Sequence, residues 1–214
     1  MIFRDRTEAG HLLADRLAEA AQDSDLVLAL PRGGLPVAEP IAVRLGATLD
    51  IVVARKLGAP GHPEFGVGAI AEDGPPVYDR DNLRHAGVTE ESMAATLAAE
   101  REELGRRVRR YRGDRPTPPV TGRAVVLVDD GLATGVTAHA ALRWIHGRNP
   151  ARVLLAVPVG APQARDLLAR EADGVICLSA PPDFRAVGRW YENFEQLTDE
   201  DVDAVLRRFH HALK

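Results

Sequence analysis

The stretch Ala124-Val125-Val126-Leu127-Val128-Asp129-Asp130-Gly131-Leu132-Ala133-Thr134-Gly135-Val136-Thr137 decides how this chain is read. Val125 to Val128 form a short β-branched apolar run bounded by turn residues, the pattern of a buried strand. The run ends in two adjacent carboxylates, Asp129 and Asp130, and a helix is expected from about Val136. Gly131 and Gly135 admit backbone angles and close approaches that other residues resist. Thr134 and Thr137 add hydroxyls, and Ala133 keeps the loop small. Backbone N–H groups at a helix N-terminus make a ready phosphate site. The two carboxylates repel a phosphate, so they suit sugar hydroxyls or a divalent cation. A phosphorylated sugar is the ligand implied. The bland alternative, that Asp129 and Asp130 merely end a strand, does not account for the apolar run, the acidic pair and the Thr-Gly-x-Thr loop occurring together.

Two commoner phosphate motifs are missing. No G-x-x-x-x-G-K-[ST] occurs and no lysine sits in the loop, which argues against a P-loop nucleotidase. No G-x-G-x-x-G follows a strand, which argues against a dinucleotide fold.

The chain has 214 residues, 45% of them hydrophobic, which suits one domain over residues 1–214 with a small hood. A net charge of -4 gives no reason to expect nucleic acid as a partner. No apolar run is long enough to span a membrane. Met1-Ile2-Phe3-Arg4-Asp5-Arg6 lacks the apolar core of a signal peptide. A cytoplasmic location is expected. The single cysteine, Cys177, excludes an internal disulfide and reads as a small core residue in a strand over 174–178.

Strand and helix patterns alternate. Helices are expected over 7–22, from Pro36 to Leu45 with Gly46 ending it, over 89–112, 136–146 and 161–170, and from Asp199. Strands are expected over 25–30, 49–54, 125–128, 153–158 and 174–178, with a short hairpin over 67–71 and 76–78. Residues 114–121 read as a linker. This alternation predicts an α/β fold, a parallel sheet flanked by helices, with ligands bound beyond the carboxyl ends of the strands.

Two further loops follow strand ends. Pro31-Arg32-Gly33-Gly34 offers a guanidinium fork and glycines that leave backbone N–H groups accessible. Arg55 to Gly68 holds four glycines and two prolines and reads as a loop, either a plain connector or a mobile lid that excludes water. His62 has no second His or Cys at ligand spacing, so a loop or substrate contact is expected for it.

Taken together, Pro31-Arg32-Gly33-Gly34, Arg55-Lys56-Leu57-Gly58-Ala59-Pro60-Gly61-His62-Pro63-Glu64 and Asp129-Asp130-Gly131-Leu132-Ala133-Thr134-Gly135 resemble the motifs of the type I phosphoribosyltransferases, and most closely a bacterial group whose acceptor is undefined. The resemblance runs from about residue 25 to 178. It implies phosphoribosyl pyrophosphate (PRPP) as substrate, Mg²⁺ as cofactor and transfer to a nitrogen of a nucleobase or similar heterocycle. It also implies roles. Gly131, Ala133, Thr134, Gly135 and Thr137 would hold the 5′-phosphate. Asp129 and Asp130 would hold the ribose hydroxyls, directly or through Mg²⁺. Arg32, Gly33, Gly34 and Lys56 would face the pyrophosphate. Family members often hold a non-proline cis peptide in the Pro31–Gly34 loop. Lys56 and Glu64 are the catalytic candidates, with Glu64 or His62 as base. Ala133 stands where 6-oxopurine enzymes usually carry an aspartate, so hypoxanthine or guanine loses support, while adenine- and orotate-type acceptors stay open. The acceptor hood is expected within 1–24 or 179–214, with Phe184, Trp190, Tyr191 and Phe194 as stacking candidates. Arg106, Arg107, Arg109 and Arg110 read as a solvated helix face, and a homodimer is open. The other readings are a regulatory protein that senses PRPP or a nucleotide, and a hydrolase of sugar phosphates.

Overall fold

The computed structural model describes residues 1–212; positions 213 and 214, the end of the C-terminal hood candidate, lie outside the described residues. In chain order the elements are α1 (Arg6–Ala20), β1 (Leu26–Ala29), α2 (Gly34–Leu45), β2 (Thr48–Ile51), β3 (Ala54–Ala59), β4 (His62–Ala71), β5 (Val77–Tyr78) and α3 (Arg80–Ala86). They continue as α4 (Ala94–Arg112), β6 (Ala124–Val128), α5 (Val136–His146), β7 (Arg152–Val159), α6 (Pro162–Leu168), β8 (Gly174–Ser179) and α7 (Asp199–Ala212).

Five strands form the expected parallel sheet in the order β2-β1-β6-β7-β8. Its inner strands carry apolar residues on both faces because helices cover both. Val27, Ala29, Val126 and Val128 join the core under α1, α2, α4 and α7. Leu26, Leu28, Val125 and Leu127 alternate with them into the core under α5 and α6. The caps follow local chemistry. Asp5 accepts from the N–H of Glu8 at 2.8 Å to start α1, and Gly46 ends α2 at a φ of 63°, as the sequence predicts.

The segment 55–68 departs from its expectation. It is not a loop but most of an antiparallel hairpin, β3 and β4, to which β5 adds a third strand. Its glycines serve close strand approach. A Cβ on Gly58 would overlap the Pro63 backbone, one on Gly68 would overlap the Val77 carbonyl, and one on Gly66 would press on the Lys56 side chain. Only Gly61, at the turn, has a positive φ here, 77°. Glycine content therefore marks tight pairing as much as freedom.

Other differences are smaller. The expected strand 49–54 splits, β2 ending at Ile51 and β3 starting a new sheet at Ala54. Residues 80–86 form α3, capped by Asp79, which accepts from the N–H groups of Asp81 and Asn82. The expected helix 89–112 begins with one 3₁₀ turn at Glu91–Met93, where Thr89 and Ser92 bond reciprocally, before α4. Cys177 is half-buried on edge strand β8 rather than in the core, and burial pushes its thiol pKa up.

Behind the sheet edge lies a buried charge network. Arg112, at the end of α4, donates to both oxygens of Glu72 at 3.0 Å and to Ile51 O at 2.9 Å, with Asp50 at 4.0 Å. The next residue, Asp73, accepts from Trp144 Nε1 at 2.8 Å and from Arg148 at 2.6 Å, both near the end of α5. Two consecutive carboxylates thus fasten the root of the hairpin to two helices.

Candidate functional site

In the strand order β2-β1-β6-β7-β8, the chain leaves β1 towards β2 and leaves β6 towards β7. Their carboxyl ends are the point where the winding reverses, the place where ligands usually bind in such sheets. The loops that follow them are Pro31–Gly34 and Asp129–Gly135, the two motifs singled out in the sequence.

The two loops are packed on each other. Leu30 N–H donates to Val128 O at 2.9 Å, carrying the β1–β6 pairing to the loop itself. A Cβ on Gly33 would overlap the Asp130 carboxylate, and one on Gly34 would lie 2.6 Å from Val128 O. Both glycines are therefore required by contact between the motifs. The Pro31–Arg32 peptide is cis, as the resemblance implies for this loop.

Beyond Asp130 the loop is partly structural and partly open. Gly131 packs under Val187, where a Cβ would lie 2.6 Å from a methyl group, and Leu132 N–H donates to Val159 O at 2.9 Å. Gly135 caps α5 at a φ of 75°. Ala133 and Thr134 are exposed. Among the described residues, the N–H groups of Ala133, Thr134, Gly135 and Thr137 have no hydrogen-bond acceptor. They are the orphan donors of a helix start, and they lie one turn from the acidic pair.

The acidic pair is electrostatically uneven. Asp130 is paired, its Oδ2 accepting from Arg6 Nε at 2.8 Å. Asp129 accepts from the N–H of Asp130 at 2.8 Å and has no ion pair among the described residues. Burial, then the neighbouring Asp130 charge, raises the Asp129 pKa well above the ordinary carboxylate value. Burial raises Asp130 as well, opposed by Arg6.

The two hood candidates turn out to be one patch. Phe3 pairs with Tyr191 in an isolated parallel bridge, and their rings lie 5.5 Å apart. Tyr191 and Phe194 lie 5.1 Å apart, and the Arg6 guanidinium sits 3.8 Å over the Phe194 ring. Tyr191 Oη donates to Asp130 O at 2.7 Å, which joins the patch to the acidic pair. Burial, then the Asp130 charge, raises the Tyr191 pKa, so the phenol keeps its proton. Phe3 and Tyr191 are buried, and of the rings in this cluster only Phe194 presents much surface.

Arg32 lies 3.6 Å from Asp199, the first residue of α7. Tyr111 Oη also donates to Asp199, at 2.5 Å, and burial with this bond pushes its pKa up to about 12. Arg110, expected to be solvated, reaches across to Glu200 and Asp203 and binds α4 to α7, while Arg106 and Arg107 pair with Glu103 on their own helix.

Lys56 and Glu64 sit elsewhere, on the hairpin. Lys56 Nζ donates to Glu64 O at 3.2 Å, and among the described residues no hydrogen bond or ion pair joins either side chain to Asp129, Asp130 or Arg32. His62, Glu64, Phe65 and His85 line a cavity of about 580 Å³ on this arm, and Lys56, Glu64 and Thr96 line one of about 520 Å³. Arg6 and Asp199 were missed in the sequence. Each lies far along the chain from the motif it contacts, and nothing local distinguishes either from a surface charge. No helix among the described residues is long and apolar enough to cross a membrane, and they include no cluster of three or more metal-ligating side chains.

Comparison with known proteins identifies the family. Two proteins of Mycobacterium tuberculosis, strains CDC 1551 and H37Rv, are provisionally named phosphoribosyl transferases. Each is 45% identical over 209 residues, covering 98% of this chain. The chain spans about half the length, 47%, of these curated relatives. The crystal structure of TT1426 from Thermus thermophilus is similar throughout, with a TM-score of 0.83 and 46% identity, covering 98% of this chain and 99% of that one. AQ2163 from Aquifex aeolicus shares the fold at a TM-score of 0.51 and 13% identity, covering 82% of this chain and 74% of that one. The family model described as the phosphoribosyl transferase domain matches residues 5–188, and the chain belongs to that family.

Proposed function

We propose that this chain transfers the phosphoribosyl group of PRPP to a nitrogen of a nucleobase or similar small heterocycle, releasing pyrophosphate. The observation that carries this reading is the packing of Gly33 and Gly34 against Asp130 and Val128, which joins an arginine-bearing loop to an acidic pair and an open helix start. One site then offers donors for a 5′-phosphate at Ala133 to Thr137, acceptors for ribose hydroxyls at Asp129 and Asp130, and a cation for pyrophosphate at Arg32.

In the reaction the acceptor nitrogen donates its lone pair to the anomeric carbon, and the bond from that carbon to the pyrophosphate oxygen breaks. Pyrophosphate leaves with the electron pair, and the acceptor nitrogen loses a proton to a base. Positive charge develops on the ribose in the transition state, so groups that stabilise the leaving anion contribute most. Arg32 and Lys56 take that role, Lys56 after releasing the Glu64 carbonyl. Glu64 is the proposed base, carried on the hairpin arm. Phe194 and its neighbours cover the acceptor side.

Mg²⁺ fits the acidic pair. Asp129 is a half-buried carboxylate with no ion pair among the described residues, and magnesium binds through few carboxylates plus substrate phosphates. When bound, it would neutralise charge on the pyrophosphate.

The test is pyrophosphate release from PRPP across a panel of bases, beside Asp129→Asn with Asp130→Asn. Release that needs both a base and the intact pair is expected. Tight PRPP binding with no turnover on any base would overturn the transfer reading.

A further inference from the structure

Arg6 belongs to no motif, yet four contacts converge on it and its surroundings. Its Nε donates to Asp130 Oδ2 at 2.8 Å, and its Nη1 donates to Glu195 O at 3.0 Å. Its plane lies 3.8 Å from the Phe194 centroid. Tyr191, its ring tilted against those of Phe3 and Phe194, donates to Asp130 O at 2.7 Å. Arg6 and Asp130 are both largely enclosed, at 11% and 15% exposure, so the pair is not a loose surface contact.

A guanidinium is suited to this junction. It is planar, presents donors in fixed directions and can stack on a ring while bonding in its own plane. The bond to Oδ2 restrains the carboxylate rotation, and Oδ1 has no donor among the described residues. Gly33 has no side chain at the point where one would overlap Asp130 Oδ2, so the carboxylate is confined from that side too.

We propose that Arg6 is the positioning residue for Asp130: it aims one carboxylate oxygen at the ribose hydroxyls and ties the aromatic hood to that same carboxylate. The role rests on the reading of Asp130 as a ribose ligand. Arg6 acts through Asp130 and the hood and does not itself take part in bond making.

The discriminating experiment is calorimetry of PRPP and of inorganic pyrophosphate with the native chain, Arg6→Ala, Asp130→Asn and the double variant. Arg6→Ala should weaken PRPP about tenfold, the size of one charge-assisted contact. Pyrophosphate, which lacks the ribose, should bind within about twofold of native, and Arg6→Ala should add nothing in the Asp130→Asn background. Added guanidinium ion should restore part of the PRPP affinity of Arg6→Ala. Equal weakening of both ligands would reduce Arg6 to a structural residue and overturn the proposal, as would unchanged PRPP binding or an undiminished Arg6→Ala effect in the Asp130→Asn background. Absence of PRPP binding by the native chain would instead remove the proposed function, and the role of Arg6 with it.

Discussion

Arg112 with Glu72 and Arg6 with Asp130 are the same chemistry in two settings. Arg112 and Glu72 are almost wholly enclosed, at 4% and 6% exposure, and each oxygen of Glu72 is occupied. Arg6 and Asp130 sit at the candidate site with one carboxylate oxygen left over. In the first pair both carboxylate oxygens are met, with only Arg112 Nε lacking an acceptor among the described residues, and it serves the fold. The second is incomplete by one acceptor and can serve a ligand. The state of the second carboxylate oxygen, bonded in Glu72 and without a donor among the described residues in Asp130, is what separates the two.

The sharpest way to break this contrast is Arg112→Met. It leaves Glu72 buried without its cation, while Asp50 keeps Arg115 at 3.6 Å, and stability should fall by about 3–5 kcal/mol. Thermal or denaturant unfolding measures the loss. PRPP affinity of the still-folded protein should hold, and a matching loss of affinity would show that the two pairs are not separable.

Asp129→Asn should do the reverse. PRPP affinity should drop by about two orders of magnitude, or about 2.7 kcal/mol. Stability should rise at neutral pH. The folded state raises the Asp129 pKa, so the stability tied to this group is full below the ordinary carboxylate range and is lost as pH climbs through the raised value. Asparagine removes that loss, and the melting temperature should gain about 2–4 °C for each kcal/mol recovered. The gain should vanish in acid, where aspartate is protonated in both states. A melting curve unchanged at neutral pH would mean that Asp129 ionises without cost.

Gly33→Ala sharpens the comparison from the loop side. The new methyl group meets Asp130, and relief requires the carboxylate or the loop to move, at about 1–3 kcal/mol. PRPP binding should weaken with it, whereas Gly61→Ala, at the exposed turn of the hairpin, should cost only about 1 kcal/mol through its positive φ. Comparable PRPP losses from both substitutions would contradict the tight packing of the two site loops.

The parallel sheet and both site loops were legible because they rest on local signals. Apolar runs over 125–128 and 153–158, carboxylates at a strand end and glycines before a helix each have one ready structural meaning. The hairpin was not legible. Gly58, Gly66 and Gly68 carry the composition of a flexible loop, and only their partners, Pro63, Lys56 and Val77, reveal close pairing. Arg6 and Asp199 were hidden for a related reason, since Asp130 and Arg32, their partners, lie in distant parts of the sequence. The hood was offered as two alternatives because a bridge between Phe3 and Tyr191 leaves no trace in either segment alone.

The anchoring of Glu72 and Asp73 has a mechanical consequence. The hairpin is a cantilever whose root is bolted at two points to α4 and α5, the second of these being the helix that the Asp129–Gly135 loop leads into. Residues 67–71 are buried against the body, while 62–65 stand out in solvent. Such anchoring would confine any bend to the outer part, about Gly58 to Gly66, with Lys56 at its inner margin and Glu64 near the tip. On the roles we propose, a bend there would carry Glu64 farther than Lys56, so one lever would hold the proposed leaving-group cation nearly still while it moved the proposed base.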